Sequence, residues 1–337
     1  MPRWPDAASS GILYLSGDEV GRALASVDVV DAVAAALAAH ARGQTVQPQE
    51  AHLRWEHSEH PLRSLSMPAA VEGWAGVKII NSNPANTTRG LPRASGLTVL
   101  FSIATGAPIC VLAGARISCA RTAAVTALAV ELVAVHPIER LALLGAGALA
   151  GAHVKLLRER LPDLGEVRIY DVDPARAEAL AADIDGSVLC DSAEQAIRGA
   201  RLVVPVTTTT SSYIHYDWLE PGSLLVNVSL DDPLPDLVLR ADKVFVDDWT
   251  LVAADERRLL GRMLRAGRLC GPGERSEGAR PIDGELGELL TGTREARTDP
   301  GEIILVNPFG LAIEDVAVAR RVYEQALRLD LGTRLDP

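Results

Sequence analysis

The sequence predicts an α/β protein in which a doubly wound parallel sheet is joined to a second domain of mixed α+β structure. Three observations predict this fold class. Short apolar runs alternate with helical patterns after Val135, a Gly-x-Gly-x-x-Ala motif follows the first of those runs, and the segment before Val135 carries hairpin signals instead. A chain of 337 residues can bury two cores of ordinary size. We therefore predict one domain from residues 1–125 with 311–337, and another from residues 126–310.

Seven apolar runs predict the strands of the parallel sheet. They are LALLGAG, EVRIYD, GSVLC, RLVVPVT, SLLVNVS, KVFVDDW and EIILVNP. Helical patterns separate them, among them GALAGAHVKLLRERL, DPARAEALAADI, DSAEQAIRGA and LPDLVLRA. Neighbouring parallel strands require crossovers of about a dozen residues and are buried on both faces, which is the pattern seen here.

The other domain is predicted to be mixed. SGDEVGRALASVDVVDAVAAALAAHARG reads as helical, with Ser26 and Asp28 as alternative starts for its second part and Gly43 as its end. Three strands follow, in AGVKIINSNP, ASGLTVLFSI and GAPICVLAGARIS. The stretch GARISCARTAAVTALAVELVA, from Gly114 to Ala134, reads as a buried helix and overlaps the end of the third strand. The amphipathic helix in PFGLAIEDVAVARRVYEQALRL is expected to return to this domain, and Arg265 to Pro281 is expected to form a surface excursion.

Charge and composition exclude several classes of partner. The net charge is −11 and the charges are mixed along the chain, which argues against nucleic acid or an anionic membrane. No apolar run approaches the roughly 18 to 20 residues of a membrane span, and MPRWPDAASSGILYL lacks the pattern of a secretion signal. The cysteines at positions 110, 119, 190 and 270 are scattered, which favours a reducing, cytoplasmic setting. His52, His57 and His60, in what reads as the polar loop RWEHSEHP, match no closed metal site, so no metal is predicted.

The Gly-x-Gly-x-x-Ala motif predicts a Rossmann-type phosphate loop. Gly145 permits the tight turn, Gly147 lets the backbone approach a pyrophosphate, and Ala150 lets helix and strand pack closely. Asp171 ends the second strand 26 positions after Gly145, where a carboxylate can bind ribose hydroxyls and repel a 2′-phosphate. This favours NAD over NADP. The alternatives are a close-packed turn without ligand and a capping role for Asp171, although Asp173, just before a proline, fits that role better.

Polar residues also end two later strands. Thr207 to Ser212 and Asn227 to Asp232 stand at the carboxyl ends, where open α/β sheets bind ligands. We expect both stretches to line the cofactor crevice. Asp231 in particular could exchange protons with a substrate there, or it could cap a turn or helix.

Three cations stand in less expected places. Arg121 begins a run that is apolar on nearly all faces, so its guanidinium needs a partner, either a structural carboxylate or the carboxylate of a substrate. Lys78 lies in a strand between Val77 and Ile79, and an alternating strand could point it at solvent or inward. Arg54 is a third candidate for binding a substrate carboxylate, or else it is a surface residue.

Taken together these motifs resemble the ornithine cyclodeaminase/mu-crystallin family along most of the chain. The segments that carry the resemblance are VKIINSNPAN, GLPRAS, TGAPICVLAGARISCARTAA, LLGAGALAGAHV, YDVDP, VTTTTSS, VNVSLDDP and GLAIEDVAVA. The resemblance implies an NAD-dependent homodimer, in which the first domain with the C-terminal helix binds a small amino-acid substrate and forms the dimer interface.

The resemblance also implies roles for individual residues. Arg121 corresponds to the arginine that grips the substrate α-carboxylate, Arg54 to the upstream arginine of that clamp, and Lys78 to the lysine near the reacting carbon. Asp231 corresponds to the catalytic aspartate of the cyclodeaminases, and Met67 and Arg93 join the substrate-binding set. The expected cofactor contacts are Thr122, Gly145, Gly147, Ala148, Leu149, Ala150, Asp171, Thr207, Thr208, Thr209, Val228 and Ser229.

Two departures bear on the substrate. Where ornithine cyclodeaminases carry an acidic residue shortly before MPA, this chain has RSLSMPA, and GLPRAS replaces GLPTV. These features resemble the branch that oxidises N-(2-amino-2-carboxyethyl)-L-glutamate to 2,3-diaminopropionate and 2-oxoglutarate for siderophores and antibiotics. Arg93 is then an extra cation for a substrate with several carboxylates. The alternatives are ornithine cyclodeamination, amino-acid dehydrogenase or ketimine reductase activity, and ligand binding without turnover as in mu-crystallin.

Overall fold

The computed structural model describes residues 11–57 and 60–336. The chain divides into two compact units, which are described separately. The first unit consists of Met1–Arg121 with Leu311–Pro337, and the second of Thr122–Gly310.

The described residues of the N-terminal part of the first unit form six strands, three α-helices and a short 3-10 helix (Pro84–Arg89). The strands are β1 (Ile12–Leu15), β2 (Ala51–His57), β3 (His60–Val71), β4 (Trp74–Ser82), β5 (Ala94–Phe101) and β6 (Pro108–Ala113). The helices are α1 (Gly17–Leu24), α2 (Val29–Ala41) and α3 (Gly114–Val133), the last of which continues into the second unit. Asp28 caps α2 by accepting a hydrogen bond from the Asp31 backbone N–H, so this residue, and not Ser26, is where the second helix starts.

Two expectations for this part of the chain were wrong. Residues 54–57 and 60–61 of RWEHSEHP are not loop residues, because they belong to β2 and β3, which pair antiparallel with Arg54 opposite Arg63. The stretch GAPICVLAGARIS is a strand only as far as Ala113, and α3 begins at Gly114, as the helical reading of the overlapping stretch predicted. A Cβ added at Gly114 would come within 3.2 Å of the Gly96 backbone, so the glycine lets the helix start directly against β5.

The second unit contains the predicted parallel sheet. Its strands are β7 (Arg140–Leu144), β8 (Glu166–Tyr170), β9 (Ser187–Leu189), β10 (Leu202–Pro205), β11 (Leu224–Val226), β12 (Lys243–Val246), β13 (Leu269–Cys270), β14 (Arg280–Pro281), β15 (Gly284–Glu285) and β16 (Ile304–Val306). Eight of them form one sheet in the order β15-β12-β16-β11-β10-β7-β8-β9. All of its ladders are parallel. The doubly wound parallel sheet predicted from the apolar runs is thereby confirmed.

Helices connect these strands as the periodicity predicted. They are α4 (Ala150–Arg160), α5 (Pro174–Ala181), α6 (Ala193–Ile197), α7 (Pro235–Arg240), α8 (Trp249–Ala254), α9 (Leu259–Arg265) and α10 (Leu286–Thr291). The expected surface excursion from Arg265 to Pro281 is only partly exposed. Leu269 and Cys270 are buried, because β13 pairs with β14 and fixes both ends of the loop.

The C-terminal residues return to the first unit as α11 (Ala312–Arg328) and β17 (Thr333–Leu335). Strand β17 pairs with β1 and completes a seven-stranded sheet in the order β17-β1-β6-β5-β4-β3-β2. Helix α11 packs on α2, β3 and β4.

The two faces of this sheet differ in burial. Along one row, Met67, Lys78, Thr98, Leu112 and Leu15 face each other on successive strands and are all buried. The alternate residues, which point to the opposite face, are half-buried or exposed. Because side chains alternate along a strand, α11 and its neighbours cover one face only.

Within the described ranges no single helix is long and apolar enough to cross a membrane; only α1 and α2 together, bent by 87°, reach that length and composition.

Candidate active site

The glycine motif forms a turn between β7 and α4 in the second unit. Gly145 has a φ of +99°, and a Cβ on it would lie 3.1 Å from the Val206 backbone, so only glycine suits this position. Gly147 is exposed, and nothing lies within 4 Å of the place where its Cβ would be. Ala150 is buried at the start of α4, whose first turn receives no hydrogen bond from its N-cap side chain. Unpaired backbone N–H groups at such a helix start suit a pyrophosphate.

Asp171 fastens this loop to the end of β8. Its carboxylate accepts hydrogen bonds from the Ala146 backbone N–H at 2.7 Å and from the Asp173 N–H at 2.8 Å. Asp173 in turn caps α5 by accepting from the Ala175 N–H at 3.2 Å, as its place before Pro174 predicted. Each carboxylate oxygen has a second lone pair, so binding a ribose hydroxyl remains open to Asp171 and stays a prediction.

The polar ends of β10 and β11 are linked to each other. The Thr207 hydroxyl donates to Asp232 at 2.7 Å and accepts from the Thr209 backbone N–H at 3.2 Å, and Tyr213 also donates to Asp232 at 3.1 Å. Burial raises the pKa of Asp232. Thr208 is exposed, whereas Val228 and Ser229 are half-buried after β11. This edge, beyond the carboxyl ends of the strands, is where parallel sheets bind ligands.

Asp231 is buried, and its partners lie on α9. It accepts hydrogen bonds from the Leu259 backbone N–H and from Arg258, both at 2.8 Å, and Arg262 lies 3.3 Å away. The capping alternative therefore holds in a different form, since Asp231 caps α9 and not the helix that follows it in sequence. Its predicted role in proton transfer stays a prediction.

In the first unit, Lys78 is 3% exposed and points to the face of the sheet that α11 covers. Its Nζ lies 2.9 Å from the Ser118 hydroxyl, and 2.9 and 3.1 Å from the two carboxylate oxygens of Asp315. The alternation along β4 places Trp74 and Gly76 on the same face. The reading in which Lys78 points to solvent is therefore wrong.

Arg121 lies beside this pair. Its Nη1 is 2.8 Å from Glu314, and its Nε is 3.3 Å from Asp315. Structural carboxylates thus partner the guanidinium, as one alternative expected. A guanidinium has five N–H donors, so an arginine can serve more than one carboxylate.

The charges of this cluster act on Lys78 in opposite directions. Burial lowers the pKa of Lys78, and the positive charge of Arg121 lowers it further, while Asp315 opposes both effects. Burial also raises the pKa of the Cys119 thiol. The result is a buried amine whose protonation depends on charged neighbours, as proton-transferring lysines require.

The other predicted substrate residues lie on or beside the same sheet. Met67 stands directly opposite Lys78 on β3. Arg54 shares their face but stands opposite Arg63, which lies four residues from Met67, or roughly 13 Å along the strand. Arg93 is exposed just before β5. The structure brings Lys78, Met67 and Arg121 together, and leaves the backbones of Arg54 and Arg93 outside that cluster.

Three residues that the sequence reasoning missed are Glu314, Asp315 and Arg63. A signal for the first two existed, because Glu314 and Asp315 are adjacent acids in a helix that is otherwise apolar around them, between Ile313 and Val316. Thr122, expected to contact the cofactor, is the first residue of the second unit, and its carbonyl accepts from Thr126 at 3.5 Å. Among residues 11–57 and 60–336 no group of three or more His, Cys, Asp and Glu side chains could hold a metal ion.

These features define the class of protein. One unit has a Rossmann-type parallel sheet with a glycine turn at its carboxyl edge, and the other unit carries a buried lysine and arginine. The sequence profile described as the ornithine cyclodeaminase/mu-crystallin family matches residues 13–329, and the chain belongs to this family.

Three proteins illustrate the similarity. N-((2S)-2-amino-2-carboxyethyl)-L-glutamate dehydrogenase of Staphylococcus aureus is 32% identical, over 96% of this chain and 98% of that protein. The solved structure of CmnK has a TM-score of 0.90 and 34% identity, covering 97% of this chain and 99% of the other. An archaeal alanine dehydrogenase, solved as a dimer with bound NAD, has a TM-score of 0.82 and 26% identity, covering 96% and 99%.

Proposed function

We propose that this protein is an NAD-dependent oxidoreductase that acts on the C–N bond of an amino acid, and that its substrate is N-(2-amino-2-carboxyethyl)-L-glutamate. The products are 2,3-diaminopropionate, 2-oxoglutarate and NADH. The observation that carries the chemistry is the buried Lys78–Arg121 pair with its carboxylate partners. The substrate is supported by the 32% identity to the Staphylococcus aureus dehydrogenase along nearly the whole chain.

The residues of this chain divide the reaction between them. Arg121 and Arg54 hold the glutamyl carboxylate and fix the Cα–H of the substrate, which removes the entropic cost of orientation from the chemical step. Bound NAD+ would supply the hydride acceptor for this Cα, and loss of the hydride and of the N–H proton would leave an imine. Water then adds to the imine carbon, and the C–N bond breaks to release the amine and the 2-oxo acid. Lys78 or Asp231 carries the protons of these steps.

The neighbourhood of Met67 supports a substrate without a distal amine in this position. Of the two residues that replace the acid of the cyclodeaminases, Leu65 lies on the face of Lys78, opposite Ile80, and Ser66 lies on the other face. An apolar side chain gives an ammonium group no partner. Arg63, which stands opposite Arg54 on that same face, adds a positive charge that suits a further carboxylate of the substrate.

The uncovered face of the seven-stranded sheet supports a homodimer. It presents Val77, Ile79, Leu97, Val99 and Phe101, all half-buried or exposed, and Leu97 is 42% exposed. Exposed apolar residues that lie together on one face mark protein interfaces. A Leu97→Glu/Val99→Glu variant should elute as a monomer in size-exclusion chromatography with light scattering. Val188→Glu, on the second unit, is the matched control and should leave the dimer intact.

We also propose a cytoplasmic location, in line with four cysteines that form no disulfide.

The test of the activity is the appearance of reduced-nicotinamide absorbance with NAD+ and a panel of amino acids. We expect NADH and equimolar 2-oxoglutarate from N-(2-amino-2-carboxyethyl)-L-glutamate, and none from ornithine or alanine. Release of ammonia from ornithine without net NADH would show a cyclodeaminase and overturn the proposal. NADH from alanine alone would show a simple amino-acid dehydrogenase, and binding of nucleotide without any turnover would show a mu-crystallin-like binding protein.

A further inference from the structure

We propose that the adjacent carboxylates of α11 are positioning residues with separate tasks: Asp315 orients Lys78 and sets its protonation, and Glu314 orients Arg121 for the substrate carboxylate. The inference rests on the proposed function, and extends it from the two cations to their partners Glu314 and Asp315.

The contacts assign one carboxylate chiefly to each cation. Both oxygens of Asp315 lie within 3.1 Å of the Lys78 Nζ. Glu314 approaches Arg121 to 2.8 Å, whereas Asp315 approaches the Arg121 Nε only to 3.3 Å. Glu314 and Asp315 are both fully buried, so water cannot replace either carboxylate. A buried cation that loses such a partner stays uncompensated, and its position and proton affinity must therefore change.

The start of α11 holds the two acids in place. Glu314 also accepts a hydrogen bond from the Leu311 backbone N–H at 3.3 Å, which ties its side chain to the N-cap of the helix. The first turn of a helix favours negative charge, so two adjacent acids suit this location. Successive helical residues point about 100° apart, which lets neighbours in sequence reach two different cations.

Lys78 has a defined set of neighbours. Ser118, Cys119 and Arg121 approach it from α3, and Glu314 and Asp315 from α11. Met67 and Thr98 flank it on β3 and β5. Burial and then Arg121 lower the pKa of Lys78, and among its neighbours Asp315 raises it most. Removing the charge of Asp315 therefore lowers the proton affinity of Lys78 whether the amine acts as a base or as an acid.

The first experiment reads Lys78 directly and needs no substrate. The chain has three lysines, Lys78, Lys155 and Lys243, so an NMR titration of protein labelled with ¹³C at lysine Cε resolves them, and Lys78→Arg identifies the signal by removing it. We expect Asp315→Asn to move the Lys78 midpoint to lower pH by about one unit or more. Glu314→Gln, its isosteric control, should move the midpoint much less. Equal shifts in the two variants, or no shift in Asp315→Asn, would overturn the proposal.

The second experiment uses NADH formation from the proposed substrate. Asp315→Asn should lower kcat by at least about 100-fold with a smaller change in KM, because it disturbs the proton-transferring group. Glu314→Gln should raise KM by about tenfold with kcat nearly unchanged, because it loosens the carboxylate clamp. The same KM and kcat changes in both variants would contradict the division of tasks.

A conservative variant covers the case in which Asp315→Asn fails to fold. Asp315→Glu keeps the charge and lengthens the side chain, so it should keep the Lys78 midpoint near that of the wild type while kcat falls. A midpoint displaced as far as in a neutral variant would overturn the role of Asp315. If no amino acid yields NADH but the titrations behave as expected, the proposed activity fails and the assignment of Asp315 to Lys78 stands.

Discussion

The two units build their candidate sites by different means. In the first unit the site consists of side-chain charges, with the two acids fully buried and the Lys78 and Arg121 side chains 4% and 11% exposed. In the second unit the glycine loop offers backbone N–H groups, and the arginines that pair with Asp231 have side chains that are 30% and 44% exposed. The first site should therefore be sensitive to a lost charge, and the second to an added Cβ or a lost backbone turn.

The largest effect is expected from removing a buried charge. Arg121→Met leaves Glu314 without its cation, so the free energy of unfolding should fall by about 3–5 kcal/mol and turnover should be lost, while NAD affinity is retained. Denaturant titration and calorimetric NAD binding measure the two effects. Arg121→Met/Glu314→Gln, which removes both charges, should recover much of the stability. Loss of NAD binding in these folded variants would show that Arg121 serves the architecture of both units.

A second test concerns a buried histidine of the second unit. His153 on α4 is fully buried, its ring nitrogens contact the Leu149 carbonyl at 2.8 Å and the Thr126 hydroxyl at 3.1 Å, and burial lowers its pKa to about 4. The folded state resists protonation that the unfolded chain accepts near pH 6.5. Stability from the neutral ring is therefore complete above pH 6.5, and about 3 kcal/mol is lost as the pH falls from there to about 4.

The measurement is urea unfolding at several pH values between 7.5 and 4. The wild type should lose more stability over that range than His153→Gln, which cannot titrate. Parallel curves for the two proteins would show that His153 does not couple folding to pH.

Asp231 allows a second test of the comparison, because it is a buried charge in the second unit whose arginine partners are partly exposed. If Asp231 carries a proton in catalysis, Asp231→Asn should lower kcat by about 100-fold or more. Arg258→Gln removes the same ion pair from the other side and should cost only about 1 kcal/mol of stability, since the arginine is partly exposed. Similar kcat values for the two variants would show that Asp231 has only a structural role, in capping α9.

The smallest effect on stability belongs to the glycine loop. Gly147→Ala adds a Cβ that meets nothing within 4 Å, so folding should be unchanged while the Kd for NAD rises by about tenfold. Gly145→Ala is the contrasting change, because its Cβ would meet the Val206 backbone and its φ is +99°, and it should lower stability by about 1–3 kcal/mol. Thermal unfolding with and without NAD separates the two. An unchanged Kd in Gly147→Ala would argue against a phosphate at this turn.

The sequence predicted the second unit better than the first, and the reason is the range of the interactions. The strands and helices of the second unit are signalled by local periodicity. Its glycine turn is signalled by Gly145, Gly147 and Ala150, which lie within six residues of one another. The partners of Lys78 and Arg121 lie 237 and 193 positions further along the chain, where no local pattern connects them. Strand β2 was missed because the described side chains from Ala51 to Glu56 are all exposed, so it lacks the alternation that marks a half-buried strand. The inward direction of Lys78 depends on which face of the sheet α11 covers, and the alternation of side chains along β4 does not show which face that is.

The return of α11 and β17 to the first unit sets an order for biosynthesis. The second unit is continuous in sequence and can fold as it leaves the ribosome, since all its strands pair within residues 122–310. The first unit has to wait, because β1 and the buried cations acquire their last partners only when residues beyond Leu311 have been translated. During that interval Lys78 and Arg121 lack their carboxylates and the sheet lacks its covering helix. The nascent N-terminal segment is therefore the part of the chain that most needs protection from aggregation.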